Sequence, residues 1–88
     1  MTSFDSTAAY RLDERVALRP EPFGALAYHY GSRRLTFLRS HLLADLVRDL
    51  PNHESVDAAL SAKVPEQQRG SYRRALASLA ESRFLVAQ

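Results

Sequence analysis

The apolar residues of this chain change their spacing at Ser40, and that change restricts the fold more than any other feature. Before Ser40 they alternate. From Gly24 to Tyr30, Leu26, Tyr28 and Tyr30 fall on one side of an extended chain and Ala25, Ala27 and His29 on the other, which is the period-two pattern of a strand. Gly31-Ser32 supplies turn chemistry, and Leu35-Thr36-Phe37-Leu38 continues as a second strand rich in β-formers. Residues 24–38 therefore read as a hairpin, with Leu35 and Phe37 packing beside Leu26 and Tyr28. Upstream, Val16 to Arg19 is a short strand stopped by Pro20 and Pro22.

After Ser40 the spacing is helical. Leu42, Leu43, Leu46, Val47 and Leu50 fall at i, i+1, i+4, i+5 and i+8, with Ser40 suited to the N-cap and Pro51-Asn52 ending the run. Ser55 caps a second, shorter helix whose inner face is Val56, Ala59 and Leu60. Val64-Pro65 breaks the pattern, and Pro65 suits the first turn of a third helix. Tyr72, Leu76, Leu79 and Ala80 form the stripe of that helix, and Gly70 near its start costs about 1 kcal/mol relative to alanine. Phe84-Leu85-Val86 is a short apolar tail that folds back as a strand or simply covers the core. Met1 to Ala9 is polar, without a period, and is expected to fray.

Strands thus precede helices, which predicts an α+β domain: a winged-helix-like, three-stranded antiparallel meander packed on three helices that cover its apolar face, with Tyr28 among the core residues. Residues 1–88 make a single domain at this length, with 1–10 expected to be flexible. The absence of cysteine removes a disulfide framework, a thiolate zinc site and a cysteine nucleophile. His41 is followed by Asp45 at i+4, but one such pair is weak as a metal site, so structural or surface roles are expected for His29, His41 and His53. No nucleophile elbow and no phosphate loop occur, and three dispersed glycines cannot build one. No catalytic residue, metal or cofactor is expected. No apolar run approaches the ~20 residues needed to span a bilayer, and no secretory signal is visible, so a cytoplasmic protein without a membrane partner is the expectation.

What is left is binding. The formal net charge is only +2, but its distribution is uneven: Pro22 to Ala44 and Gln67 to Ala80 contain no acid, and carry Arg33, Arg34, Arg39, Arg69, Arg73 and Arg74. Arginine pairs with carboxylate or phosphate through a planar fork. The last strand of a meander exposes unpaired N–H and C=O groups along its edge. The arginines flanking it serve as guards against edge-to-edge aggregation, or the edge accepts a strand from another peptide. If the third helix runs beside this edge, Arg69, Arg73, Leu76 and Ala80 line one groove with Arg34 to Leu38, suited to an extended segment mixing acidic and aliphatic residues.

Val16-Ala17-Leu18-Arg19-Pro20-Glu21-Pro22-Phe23-Gly24-Ala25-Leu26-Ala27-Tyr28, then Arg34-Leu35-Thr36-Phe37-Leu38, resembles the PqqD-like precursor-peptide chaperones of the mycofactocin system. Tyr72 to Ser82 is similar to the third helix of the same family, and the similarity runs from about Tyr10 to Val86. The resemblance implies a RiPP recognition element: the leader of a ribosomally made precursor peptide binds as an added strand, in a cleft walled by the third helix, and is presented to a radical S-adenosylmethionine (radical SAM) maturase that does the chemistry. Carried over by position, the peptide-binding residues would be Arg34, Leu35, Thr36, Phe37 and Leu38 on the strand and Arg69, Arg73, Leu76 and Ala80 on the helix.

Two other readings use the same architecture. A winged-helix nucleic-acid binder would use the same arginines, but +2 is low for a domain that must neutralise several phosphates. A dimerisation or adaptor module would pair the edge strand with its own copy.

Overall fold

The computed structural model describes residues 4–88. Its main sheet is a meander of three antiparallel strands, β2 (Val16–Glu21), β3 (Gly24–His29) and β4 (Arg34–Leu38), in that spatial order. A second sheet pairs β1 (Tyr10–Leu12) with β5 (Leu85–Ala87). Between β4 and β5 lie α1 (His41–Asp49), α2 (Val56–Lys63) and α3 (Arg69–Glu81), with single 3-10 turns at Leu50–Asn52 and Glu66–Gln68. The fold is the expected α+β arrangement with one addition, the β1–β5 pair.

The helix boundaries follow local chemistry. Ser40 Oγ accepts the Leu43 N–H at 2.9 Å, and Ser55 Oγ accepts that of Ala58 at 3.0 Å, each satisfying one orphan donor of a first turn. α3 ends in a Schellman arrangement: Phe84 N–H donates to Leu79 C=O, Arg83 N–H donates to Ala80 C=O, and Arg83 takes the left-handed position at φ 68°. The hairpin between β3 and β4 turns through Arg33, at φ 60°. The ring Nδ1 of buried His29 accepts the N–H groups of Gly31 and Ser32 at 3.0 and 3.1 Å. His29 is thereby part of the turn.

The apolar sheet face expected to meet the helices faces the other way. Ala25, Ala27, His29 and Leu38 are buried against the core, whereas Leu35 is 58% and Phe37 is 54% exposed. Register pairs Tyr28 with Leu35 and Leu26 with Phe37, so these four do share a face, but it is the outer one. The reason is volume. α1 packs on β3, and the alanines at 25 and 27 let the helix come close, which filled positions would prevent. Leu46, Val47, Leu50, Val56, Ala59, Leu60 and Leu76 then supply the bulk of the core. Tyr28 accordingly lies on the outer face, ring to ring with Tyr30, rather than in the core.

Both ends of the described chain are docked. Phe4 stacks on Tyr10, Ser6 and Ala8 C=O accept the N–H groups of Asp57 and Val56, and Tyr10 is buried. The part of the expected flexible stretch at residues 1–3 lies outside the described residues. The Phe84 tail does both things expected of it: Phe84 and Leu85 fill the core while Leu85–Ala87 pairs with β1.

Candidate functional site

β4 is the outer strand of its sheet, and no described strand pairs with its far side. Tyr30 N–H donates across to Arg15 C=O and His29 C=O accepts from Arg33. Main-chain direction alternates along a strand, so in β3 the main-chain groups of Ala25, Ala27 and His29 point at β4. By register, Arg34, Thr36 and Leu38 point back at β3. The N–H and C=O groups of Leu35 and Phe37 face away from the sheet.

The third helix runs beside this edge, antiparallel to β4. At one end Tyr72 Oη lies 3.0 Å from Ser40 Oγ. At the other, a shallow cleft of about 490 Å3 is walled by His29, Ser32 and Arg34 from the hairpin and by Glu81, Ser82 and Arg83 from the helix terminus. Helical spacing places Ala75, Leu79 and Ser82 on the stripe that Tyr72 begins. Of that stripe, Tyr72 and Ser82 are the members that meet the β4 side, at Ser40 and beside Arg34.

The sequence-predicted residues divide between two places. Arg34, Leu35, Thr36, Phe37 and Leu38 are together on the edge strand, with Leu38 turned inward and buried. Arg69, Arg73, Leu76 and Ala80 lie on the opposite flank of α3. Arg69 donates to the C=O groups of Val64 and Ser61, Arg73 Nη2 is 3.1 Å from Asp57 Oδ1, Leu76 is fully buried and Ala80 packs on the core. These four are therefore not brought beside β4; α2 holds the two arginines. Tyr72 and Leu79 were visible in the sequence as members of the apolar stripe. That Tyr72 meets the β4 side was not, because only the position of α2 decides which flank is covered.

The charges around the cleft are partly fixed. Arg15 donates from Nε and Nη2 to the two carboxylate oxygens of Asp13, both at 3.1 Å, and its N–H donates to Asp13 Oδ1 at 2.8 Å. Those donors hold the Asp13 carboxyl well below the usual carboxylate range, the Arg15 guanidinium contributing most, and the same pairing raises Arg15. Asp49, at the end of α1, is also held low, first by the Asn52 side-chain amide and then by His53. His41 Nε2 lies 2.8 Å from Pro22 C=O, so all three histidines have structural partners. Among the described residues no group of three or more His, Cys, Asp or Glu could hold a metal, and no helix is long and apolar enough to cross a membrane.

What fold and edge define together is a small α+β domain with an open strand beside a helix. The chain belongs to the Peptide chaperone MftB family, whose model matches residues 9–86. It is 42% identical over 85 residues to the peptide chaperone MftB of Mycolicibacterium smegmatis, covering 96% of this chain and 83% of that protein. Against the peptide chaperone MftB of Mycobacterium ulcerans the identity is 44% over 87 residues, covering 98% and 80%. Against that of Mycobacterium tuberculosis it is 40% over 86 residues, covering 97% and 79%. No solved structure matches the chain.

Proposed function

We propose that this domain is a carrier in mycofactocin biosynthesis: it binds the leader segment of a ribosomally made precursor peptide as a fourth strand along β4 and presents the peptide to a radical SAM maturase. The observation that carries the reading is the outward-facing main chain of Leu35 and Phe37, unpaired among the described residues and flanked by α3. Membership of a family named for peptide chaperoning supports the same reading. The guest's main chain would hydrogen-bond at Leu35 and Phe37, giving affinity independent of sequence. Its side chains would alternate. One set would point toward the α3 flank that begins at Tyr72 and would suit aliphatic groups. The other emerges next to Leu35 and Phe37 on the outer face. Acidic guest residues suit the Arg34 end. The domain itself contributes no bond-making step in this scheme.

Nucleic-acid binding by α3 is the weaker reading, because two of the three arginines that would have to reach phosphates, Arg69 and Arg73 but not Arg74, are engaged by α2 or its C-cap. A titration of the domain with synthetic leader peptide, and separately with duplex DNA at near-physiological salt, separates the two. Leu35→Pro tests the edge directly. It deletes an outward N–H without touching the β3–β4 ladder, and proline is tolerated on an edge strand in that orientation. Leader affinity should fall at least tenfold in this variant while its melting temperature stays within a few degrees of the parent. Unchanged affinity would mean that the peptide does not use this edge. Thr36→Pro is the contrasting variant, since it removes a bond inside the hairpin and should destabilise the fold.

A further inference from the structure

The outer face of the β2–β3–β4 sheet carries an apolar surface that neither the core nor the proposed peptide strand accounts for. Phe23 at 42%, Tyr30 at 61%, Leu35 at 58% and Phe37 at 54% exposure are the exposed large apolar residues among those described, and all four lie on this face. Phe23 meets Phe37 edge to face at 5.7 Å, and Tyr30 meets Tyr28 edge to face at 5.1 Å. Leu26 and Tyr28 join them through register. From strand spacing and rise, a three-stranded face of this length spans roughly 300 Å2, the size at which an exposed apolar patch on a monomer is often functional.

The charge on this face has one sign where it matters. Arg39 lies over the Phe37 ring at 5.7 Å, and Arg19 stands opposite Leu26 in register. Glu21, on the far strand, is paired with Arg19 at 3.1 Å. From Pro22 to Ala44, which includes all of β3 and β4, there is no carboxylate. Phenylalanine, tyrosine, leucine and arginine without lysine is the composition of a protein-interface core rather than of ordinary solvated surface. A second copy of the chain is a poor occupant, because it would bring the same arginines to the same rim.

The geometry points to this face as the docking surface for a protein partner that presents an apolar strip bordered by carboxylates. Resting on the peptide-carrier reading above, that partner is the enzyme that receives the peptide. The face runs without interruption to β4, so a guest strand paired there would add its outward side chains to the same surface. An enzyme docked here would meet the carrier and its cargo together.

The test uses the full chain and two variants outside the peptide edge: Phe23→Glu/Tyr30→Glu, and Arg19→Glu. Affinities for the purified radical SAM enzyme of the mycofactocin system and for synthetic leader peptide are measured separately by calorimetry, with melting curves confirming the fold. The double variant should bind the enzyme at least tenfold more weakly and the leader within twofold of the parent. Arg19→Glu should weaken the enzyme complex several-fold, by a factor that shrinks as salt is raised. If both variants bind the enzyme as the parent does, the docking surface is elsewhere and the proposal fails. It fails equally if the parent forms a dimer in sedimentation that the double variant dissolves, or binds anionic phosphatidylserine vesicles through these residues. A parent that binds enzyme as predicted but not leader supports the docking face and removes only the carrier reading.

Discussion

At Gly24 the chain leaves the β2–β3 turn with φ at 147°, and a methyl group there would collide with the carbonyl oxygens of Leu38 and Ser40. Only glycine combines that dihedral with so close a backbone neighbour. Gly24→Ala should therefore cost about 2 kcal/mol or more, seen as a fall in melting temperature on the order of 10 °C for a domain of this size. Arg83 presents the reverse case, an L-residue held left-handed at the end of α3, and Arg83→Gly should stabilise by about 1 kcal/mol. Asp13 supplies a pH dependence. Its folded-state pKa lies below the ordinary value of about 3.9 because Arg15 binds the charged form. Its contribution is therefore complete above that value and is lost as pH falls toward the folded pKa. Melting followed from pH 7 to pH 2 should show this contribution unchanged down to about 5 and declining below 4, and Asp13→Asn should lower stability at neutral pH while flattening the acid limb.

Among the elements, α3 best separates what local pattern reveals from what packing decides. Its apolar stripe, and the caps of α1 and α2 at Ser40 and Ser55, are legible because each depends on residues within one turn. Gly70 is a local weakness with no tertiary reason behind it. A Cβ there would meet only the Arg74 guanidinium, at 3.8 Å, so Gly70→Ala should stabilise by about 1 kcal/mol in thermal melts. Which flank of α3 faces β4 is not legible, because Asp57 on α2 captures Arg73 from 16 positions away. β1, and its pairing with the tail strand β5, escaped for a related reason: each strand has three residues, and Tyr10 meets Ala87 from the opposite end of the chain. Three residues carry too little periodicity to be recognised.

For the molecule as a whole, a core this small tolerates little loss. Phe84 is 2% exposed and packs edge to face on the His29 ring at 5.6 Å, so it joins the C-terminal tail to the turn of the β3–β4 hairpin. Phe84→Ala should cost about 3–5 kcal/mol, a large share of the roughly 5–15 kcal/mol that holds a typical domain, and should leave a substantial unfolded fraction at 37 °C by circular dichroism. The peptide edge and the outer face both hang on this frame, so such a variant loses leader affinity through unfolding rather than through the site.

Taken alone, the sequence determined the order of the main-sheet strands and the three helices, the hairpin, two helix caps, the absence of thiol chemistry and the family resemblance, all properties carried by neighbouring residues or by runs of them. Tertiary structure decided which side of the hairpin is inside. Both sides carry apolar residues, and periodicity shows only that they alternate. The alanine side went inward because α1 needed the space, leaving Leu26, Tyr28, Leu35 and Phe37 outside. The same packing left one edge of β4 unpaired among the described residues and turned Tyr72, rather than Arg69 and Arg73, toward it.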